Sequence, residues 1–305
     1  MDRNPDVMAR FAEVVGPITA AALWGGMYVV SKWGFASIPP ATLAFLRVAL
    51  GAVTLLAVVR LWSPSRSLSR QEHRRFGTLG VWVAVTLLTQ FVGTDLTNAS
   101  QGSLLTVLTP VFTLPLGVAV LDEGLSRRKV GGMAVATVGT IVVLSGQYDL
   151  SQVSGASTLG VAALLVASFG WAAYTVWGTP LVRRYSALET ATYSTVWAVP
   201  ILGCAAGVEL WLLGVSPLSL PTTLPVLGAV AYLGVFSTAI AWYLWYRGVE
   251  SLEAGVVAVF FFAQPAVGSL LGFVFLDETL GPAFVGGGVV MAAGIYLVSS
   301  ADTTP

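Results

Sequence analysis

The chain repeats itself. Shifted by 155 residues, Leu121-Asp122-Glu123 falls on Leu276-Asp277-Glu278, Pro110 on Pro265 and Gly131-Gly132 on Gly286-Gly287. Gly93, Gly117 and Gly139 land on Gly248, Gly272 and Gly294. Between Gly93 and Ser145, 16 of 53 positions match, against roughly 4–5 expected from a composition this biased. Each copy lies in strongly apolar sequence and holds five segments long enough to span a bilayer. Five is odd, so two copies in series enter the membrane from opposite sides, and the repeat is an inverted one.

Composition sets the class. With 56% hydrophobic and 10% charged residues and a mean hydropathy of +0.82, the chain reads as a polytopic membrane protein. A span needs about 20 apolar residues, and ten segments qualify: 14–36, 41–62, 76–97, 100–121, 129–147, 157–179, 189–213, 223–247, 254–276 and 283–300. They are too long and too evenly apolar for barrel strands, and in lipid a helix is the other way to satisfy the backbone. The expected fold is therefore all-α, with ten transmembrane helices in two inverted five-helix repeats around a central cavity. Residues 1–147 hold one repeat and 148–305 the other, in one integrated membrane domain.

Several alternatives fall away. The formal net charge is zero and the basic residues are dispersed, which argues against a nucleic-acid surface. The single cysteine, Cys204, excludes an intramolecular disulfide. The first apolar run is too long for a signal peptide and lacks a small-residue cleavage site.

The basic residues also orient the chain. The connection after the second segment holds Arg66, Arg70, Arg74 and Arg75; that after the fourth holds Arg127, Arg128 and Lys129; that after the sixth holds Arg183 and Arg184. The intervening connections carry no Lys or Arg. By the positive-inside rule both termini are expected in the cytoplasm, in a multi-pass protein of the cell membrane.

Trp24-Gly25 followed by Lys32, then Pro39-Pro40 and Arg47, resembles the opening of EamA-type members of the drug/metabolite transporter superfamily. So do the two stretches with a mid-helix proline, a terminal glutamate and a glycine pair: Pro110, Glu123 and Gly131-Gly132, then Pro265, Glu278 and Gly286-Gly287. The resemblance covers essentially the whole chain. It implies a ten-helix carrier with a central cavity between its halves, of the kind that often exports amino acids or related metabolites. In one departure, Asp122 and Asp277 precede the motif acids where the family more often has glycine.

Helical spacing points to the cavity wall. On the fourth segment Gly102, Thr106, Thr109, Thr113 and Gly117 share one face; the repeat puts Phe261, Gln264, Gly268 and Gly272 on the matching face of the ninth. The third adds Thr86, Gln90 and Thr94. Small and hydroxylated residues also serve close packing and bond their own helix backbone, so each threonine has two readings. The amides are harder to explain that way, since a primary amide in hydrocarbon is costly unless satisfied. Gln264 also lies beside Pro265, where a proline frees a carbonyl one turn back.

Trp24, Tyr28, Trp171, Tyr174 and Trp242 supply aromatic surface well inside the first, sixth and eighth segments, too deep for an interfacial belt in the three tryptophans. The expected substrate-binding set is Trp24, Tyr28, Gln90, Thr106, Thr109, Trp171, Tyr174, Trp242 and Gln264. Lys32 and Arg47 are the basic residues lying more than a turn inside a span; both are within snorkelling reach of the outer surface and are placed in an outer vestibule or as helix tethers. Glu123 and Glu278 are expected to be structural, accepting orphan amide hydrogens of the following helix. Gly132 with Ala136, and Gly288 with Ala292, have the small-xxx-small spacing of close helix contacts, which opens a possible homodimer.

Three function classes compete. An intramembrane enzyme lacks support: His73 is alone in a connection, and neither a zinc-binding HExxH pair nor GxSxG occurs. The second class is a channel or a non-transporting helical scaffold: a channel would be expected to repeat charged or carbonyl-rich rings, and none is visible, while a scaffold would be inert in every flux assay. A carrier for a small organic solute fits the repeat, the paired prolines and the polar and aromatic faces; no catalytic residue, cofactor or metal is expected. A phosphorylated solute calls for clustered cations, and no Arg or Lys after Lys129 lies deep within a span. The expected substrate is a small neutral or zwitterionic metabolite such as an amino acid, with efflux of a hydrophobic toxic compound as the alternative.

Overall fold

A computed structural model describes residues 5–62, 68–97, 99–147, 157–267, 270 and 281–300. Leu276-Asp277-Glu278, Gly268 and Gly272 lie outside the described residues. Regular structure among the described residues is helical: α1 (Pro5–Gly25), α2 (Met27–Gly34), α3 (Pro40–Trp62), α4 (Arg70–Leu96), α5 (Ala99–Thr106), α6 (Thr109–Leu121), α7 (Arg127–Gln147), α8 (Thr158–Arg184) and α9 (Ala187–Leu213). Then come α10 (Leu224–Ala231), a π-helical stretch (Tyr232–Ile240), α11 (Ala241–Ser251), α12 (Ala254–Ala258), a 3₁₀ turn (Val259–Phe262) and α13 (Pro282–Ser299).

Among the described residues, seven helices are long and apolar enough to cross a membrane: Val14–Gly34, Pro40–Trp62, Arg70–Leu96, Thr158–Arg184, Ala187–Leu213, Leu224–Ser251 and Pro282–Ser299. Two shorter apolar helices, Thr109–Leu121 and Ala254–Val267, accompany them. The fourth segment is thus broken between α5 and α6, and the ninth is tightened within its described residues, in each case just ahead of a proline. Pro110 has no amide hydrogen to continue the ladder of α5, so the helix restarts with proline in its first turn. Ahead of Pro265 the helix tightens into the Val259–Phe262 turn. The first segment is interrupted as well, between α1 and α2 at Gly26.

The π stretch is a second irregularity. There Thr238 Oγ1 donates to Leu233 O, five residues back, at 2.8 Å, and the Ser237 carbonyl accepts from side chains on two other helices. π-helical turns of this kind occur often at functional sites.

Helices pack mostly across the midpoint of the chain. The most extensive contacts join α7 to α13, α4 to α8 and α9, α3 to α9, and α1 to α11. Glycine permits the tightest of these: a Cβ on Gly287 would sit 2.6 Å from Val143 N. Gly132, Gly139 and Gly294 are similarly occupied by the facing helix. The Gly132–Ala136 stripe is therefore consumed inside the chain, against α13, and offers no surface to a second copy. Gly288 has nothing within 4 Å of its Cβ position.

One end of the bundle is closed by carboxylates on helix starts. Glu123 accepts the amide hydrogen of Ala254 at 2.6 Å and that of Gly255 at 3.1 Å. It caps α12, in the other half of the chain, and not the next helix in sequence. Burial pushes the Glu123 carboxyl above the ordinary glutamate range, while the Gly255 and Ala254 amides pull it back. Lys129 pairs with Glu253 beside it, and Arg184 with Glu72 at 3.0 Å. At the opposite end Glu209 accepts from the amides of Ala41 and Thr42 at 2.9 and 2.7 Å, capping α3.

Candidate functional site

A small cavity lies where α1 and α2, α3, α4, the α5–α6 break, α8, α11 and the Val259–Phe262 turn converge. Its volume is about 20 Å³, room for about one water. Eight of the nine side chains expected at a binding site line it: Trp24, Tyr28, Gln90, Thr106, Thr109, Trp171, Trp242 and Gln264. They come from both halves of the chain.

Aromatic rings build the wall. Trp24 stacks on Phe261 with centroids 5.2 Å apart and meets Trp171 edge-on at 5.1 Å. Trp171 meets Trp242 edge-on at 5.4 Å. Such pairs contribute about 0.5–1.5 kcal/mol each beyond their burial, so the indoles hold one another in place. Trp24 Nε1 donates to the Ser237 carbonyl at 2.8 Å, which ties α1 to the π stretch.

Tyr174 does not line the cavity. It is three residues from Trp171 on α8, rotated about 60° around the helix, and faces α9 and α11. Its hydroxyl bonds Ser194 Oγ at 3.0 Å, and its carbonyl accepts from Tyr246 at 3.1 Å. It supports the indoles from behind, with its ring 5.1 Å from Trp171 and 5.7 Å from Trp242.

On the other wall a hydrogen-bond relay runs between helices. Gln90 Nε2 donates to the Tyr28 hydroxyl at 2.7 Å, Tyr28 bonds Thr106 Oγ1, and Thr106 donates to Gly102 O at 2.7 Å. Since Gln90 can only donate through nitrogen and Thr106 uses its hydrogen on Gly102, Tyr28 is the donor to Thr106. Thr109 donates to Thr106 O at 2.7 Å and Thr113 to Thr109 O at 2.9 Å. Thr113 thus serves its own helix, and Thr109 bridges the break between α5 and α6.

Other polar groups have no such partner. Among the described residues, Thr86 Oγ1, Trp171 Nε1, Trp242 Nε1 and both amide atoms of Gln264 are buried without a hydrogen bond. All four residues line the cavity. Gln264 is 1% exposed. A buried unsatisfied group costs about 1–3 kcal/mol, and here several converge on one space.

The two basic residues separate. Lys32 stays at the rim, 36% exposed, 3.7 Å from the Asp95 carboxylate and within 2.8–3.2 Å of the Thr94, Asp95 and Thr97 carbonyls. Arg47, expected in the vestibule, is 1% exposed and lines the cavity itself. It does not snorkel, because the π stretch holds it inward: Nε donates to Thr238 Oγ1 at 2.8 Å and Nη2 to Ser237 O at 3.0 Å. Nη1 lies 2.8 Å from Met27 Sδ, and the Phe91 ring centroid is 5.7 Å from the guanidinium carbon.

Trp245 is the aromatic that sequence reasoning passed over. It is fully buried, touches Trp24 and Phe261 at 5.3 and 4.8 Å, and bonds Thr175 Oγ1 at 3.2 Å. Trp242, Trp245, Tyr246 and Val249 sit at i, i+3, i+4 and i+7, a signal that would have found it.

The sequence pattern of the EamA-like transporter family matches residues 12–145 and again residues 158–300. A protein from Archaeoglobus fulgidus described as an uncharacterized transporter is 28% identical over 277 residues, 90% of this chain and 94% of its own length. A probable amino-acid metabolite efflux pump of Salmonella typhimurium is 25% identical over 92% of each chain. A probable terminal-alkyne amino-acid exporter of Streptantibioticus cattleyicolor is 27% identical over 66% of this chain and 64% of its own. One crystal structure superposes with a TM-score of 0.72 at 19% identity, covering 95% of this chain and 97% of the other, and so has the same fold. With nearly its whole length matched in this way, the chain belongs to the EamA-like transporter family and is a multi-pass membrane protein that carries a small-molecule solute.

Proposed function

We propose that the protein is an exporter of a small neutral or zwitterionic metabolite such as an amino acid, working by alternating access in the cell membrane with both termini cytoplasmic. In this reading the chain crosses ten times, as inverted repeats over residues 1–147 and 148–305, and the substrate sits among Trp24, Tyr28, Gln90, Thr106, Thr109, Trp171, Trp242 and Gln264. The observation that carries it is the cluster of buried, unpartnered polar groups on an aromatic wall at the junction of the two halves. A permanently filled core would leave no reason for so many orphans.

Packing supports the inverted arrangement. Exchange each span with the one five places on, and the contact of α4 with α8 becomes that of α11 with α1. The contact of α4 with α9 becomes that of the π stretch with α3, and the α7–α13 and α3–α9 contacts map onto themselves. The small volume fits an occluded state, since sites that hold such solutes run to about 300–1,000 Å³ and the walls must part to admit one. Among the described residues no Asp, Glu or His lines the cavity, so the cycle is expected to run downhill without obligatory proton coupling.

The test is counterflow in proteoliposomes of the purified protein, with labelled neutral amino acids outside and unlabelled ones inside. Saturable uptake that the internal amino acid accelerates, with no pH gradient, is the expected result. Flux that never saturates would place the protein among channels. Exchange of hydrophobic organic cations alone would make it a toxin exporter served by the same aromatic wall.

A further inference from the structure

Arg47 is a charge without a counter-charge. It is buried to 1% exposure in α3, and each of its nitrogens contacts a neutral group: the Thr238 hydroxyl, the Met27 sulfur and the Ser237 carbonyl. Among the described residues no carboxylate lies within ion-pair distance of it. A guanidinium carries five N–H groups in a planar fork, so two remain after those three contacts. A charge taken out of water is expensive unless it is paired, and a basic side chain at such depth marks a functional site.

Its surroundings are biased toward donors. Arg47, the indole N–H groups of Trp171 and Trp242, and the Gln264 amide all line one cavity, the last three without partners among the described residues. Among the described residues no acid lines the cavity to answer them. A wall with one fixed cation and several free donors is complementary to an acceptor bearing a single negative charge. One arginine matches a monoanion, whereas a phosphate would need a cluster. A solute ammonium has no ionic partner among the described lining residues and would meet neutral acceptors, such as the Thr86 hydroxyl and the Gln264 carbonyl, and aromatic surface, a weaker attraction.

We propose that Arg47 anchors a carboxylate of the transported solute, so that the carboxylate is the obligatory recognition group and the ammonium is dispensable. This rests on the transport reading and deepens it: the substrate class becomes small monocarboxylates with an apolar body, amino acids among them. The tether to Ser237 and Thr238 gives the anchor a mechanical role too, because it joins α3 to the π stretch and so couples occupancy to the packing of two helices.

The experiment compares three compound sets in counterflow on the unaltered protein: neutral amino acids, the same amino acids as carboxamides, and the matching deaminated acids. Amino acids and deaminated acids should exchange, and carboxamides should compete at least ~10-fold more weakly, the scale of a lost charge-assisted hydrogen bond. In Arg47→Gln, checked for normal folding by size-exclusion profile, that preference should shrink to less than about 3-fold, while Arg47→Lys should keep part of it. Carboxamides that exchange as well as their parent amino acids overturn the anchor and leave the transport reading standing. Exchange of no compound in any set overturns both.

Discussion

Lys32 and Arg47 look alike in the sequence, one lysine and one arginine between about one and two turns inside apolar segments, and the structure treats them in opposite ways. Lys32 finds an acid and three carbonyls at the rim and keeps contact with solvent. Arg47 finds neutral acceptors and is sealed in. Distance along a straight helix did not separate them; the backbone around them did. An interrupted first segment at Gly26 and a π stretch at Tyr232–Ile240 bring the Met27 sulfur and the Ser237 carbonyl over Arg47. Lys32 meets the carbonyl end of α4 and settles there. A partly exposed ion pair contributes about 0–1 kcal/mol, whereas an uncompensated buried charge is costly enough to demand a use.

The widest gap should therefore appear between these two positions. Arg47→Gln is expected to lower exchange of a carboxylate solute by ~10–100-fold, and Lys32→Gln by no more than about 3-fold, both in proteoliposomes at matched protein amounts. Equal losses would dissolve the distinction between rim and cavity.

The same contrast can be drawn between neutral side chains. Gln264 has both amide atoms unpartnered in the cavity wall, while Thr113 is satisfied by Thr109 O and does not line it. Gln264→Leu should reduce transport by about 10-fold, the worth of one or two hydrogen bonds to a bound solute. Thr113→Val removes only a bond within a helix and should leave rates within about 2-fold of the parent. Comparable activity in the two variants would remove Gln264 from the site.

A smaller effect is expected at the closed end. Glu123→Ala leaves the first amides of α12 uncapped, a cost of about 0.5–2 kcal/mol, readable as a lower melting temperature of the detergent-purified protein. Since Glu123 joins two halves, its loss should also change the rate of exchange more than the affinity for solute. An unchanged melting curve would show that the cap seen on Ala254 and Gly255 contributes nothing.

Much of the site was legible because it depends on periodicity and on proline. Pro110 marks the break between α5 and α6, and its repeat counterpart Pro265 follows the 3₁₀ turn at Val259–Phe262. The amides and the deep tryptophans stood out because hydrocarbon makes them costly or unusual. Tyr174 was misplaced by about 60° of helix rotation, a difference that depends on which neighbour offers a hydroxyl, here Ser194. The π stretch left no mark, since Tyr232–Ile240 reads as ordinary apolar helix, and the burial of Arg47 depends on it. The partner of Glu123 was equally invisible, because capping of α12 requires knowing that residues 131 apart in sequence meet.

In alternating access one cavity serves both faces of the membrane. A single cysteine tests it most directly. In a Cys204→Ala background, Thr86→Cys puts a thiol in the cavity wall at a hydroxyl that has no partner among the described residues. A membrane-impermeant thiol reagent would be added from either side of oriented vesicles. Reaction from both sides is expected, each slowed by a saturating transported amino acid. Reaction from one side only, or from both sides with no protection by any solute, would contradict it.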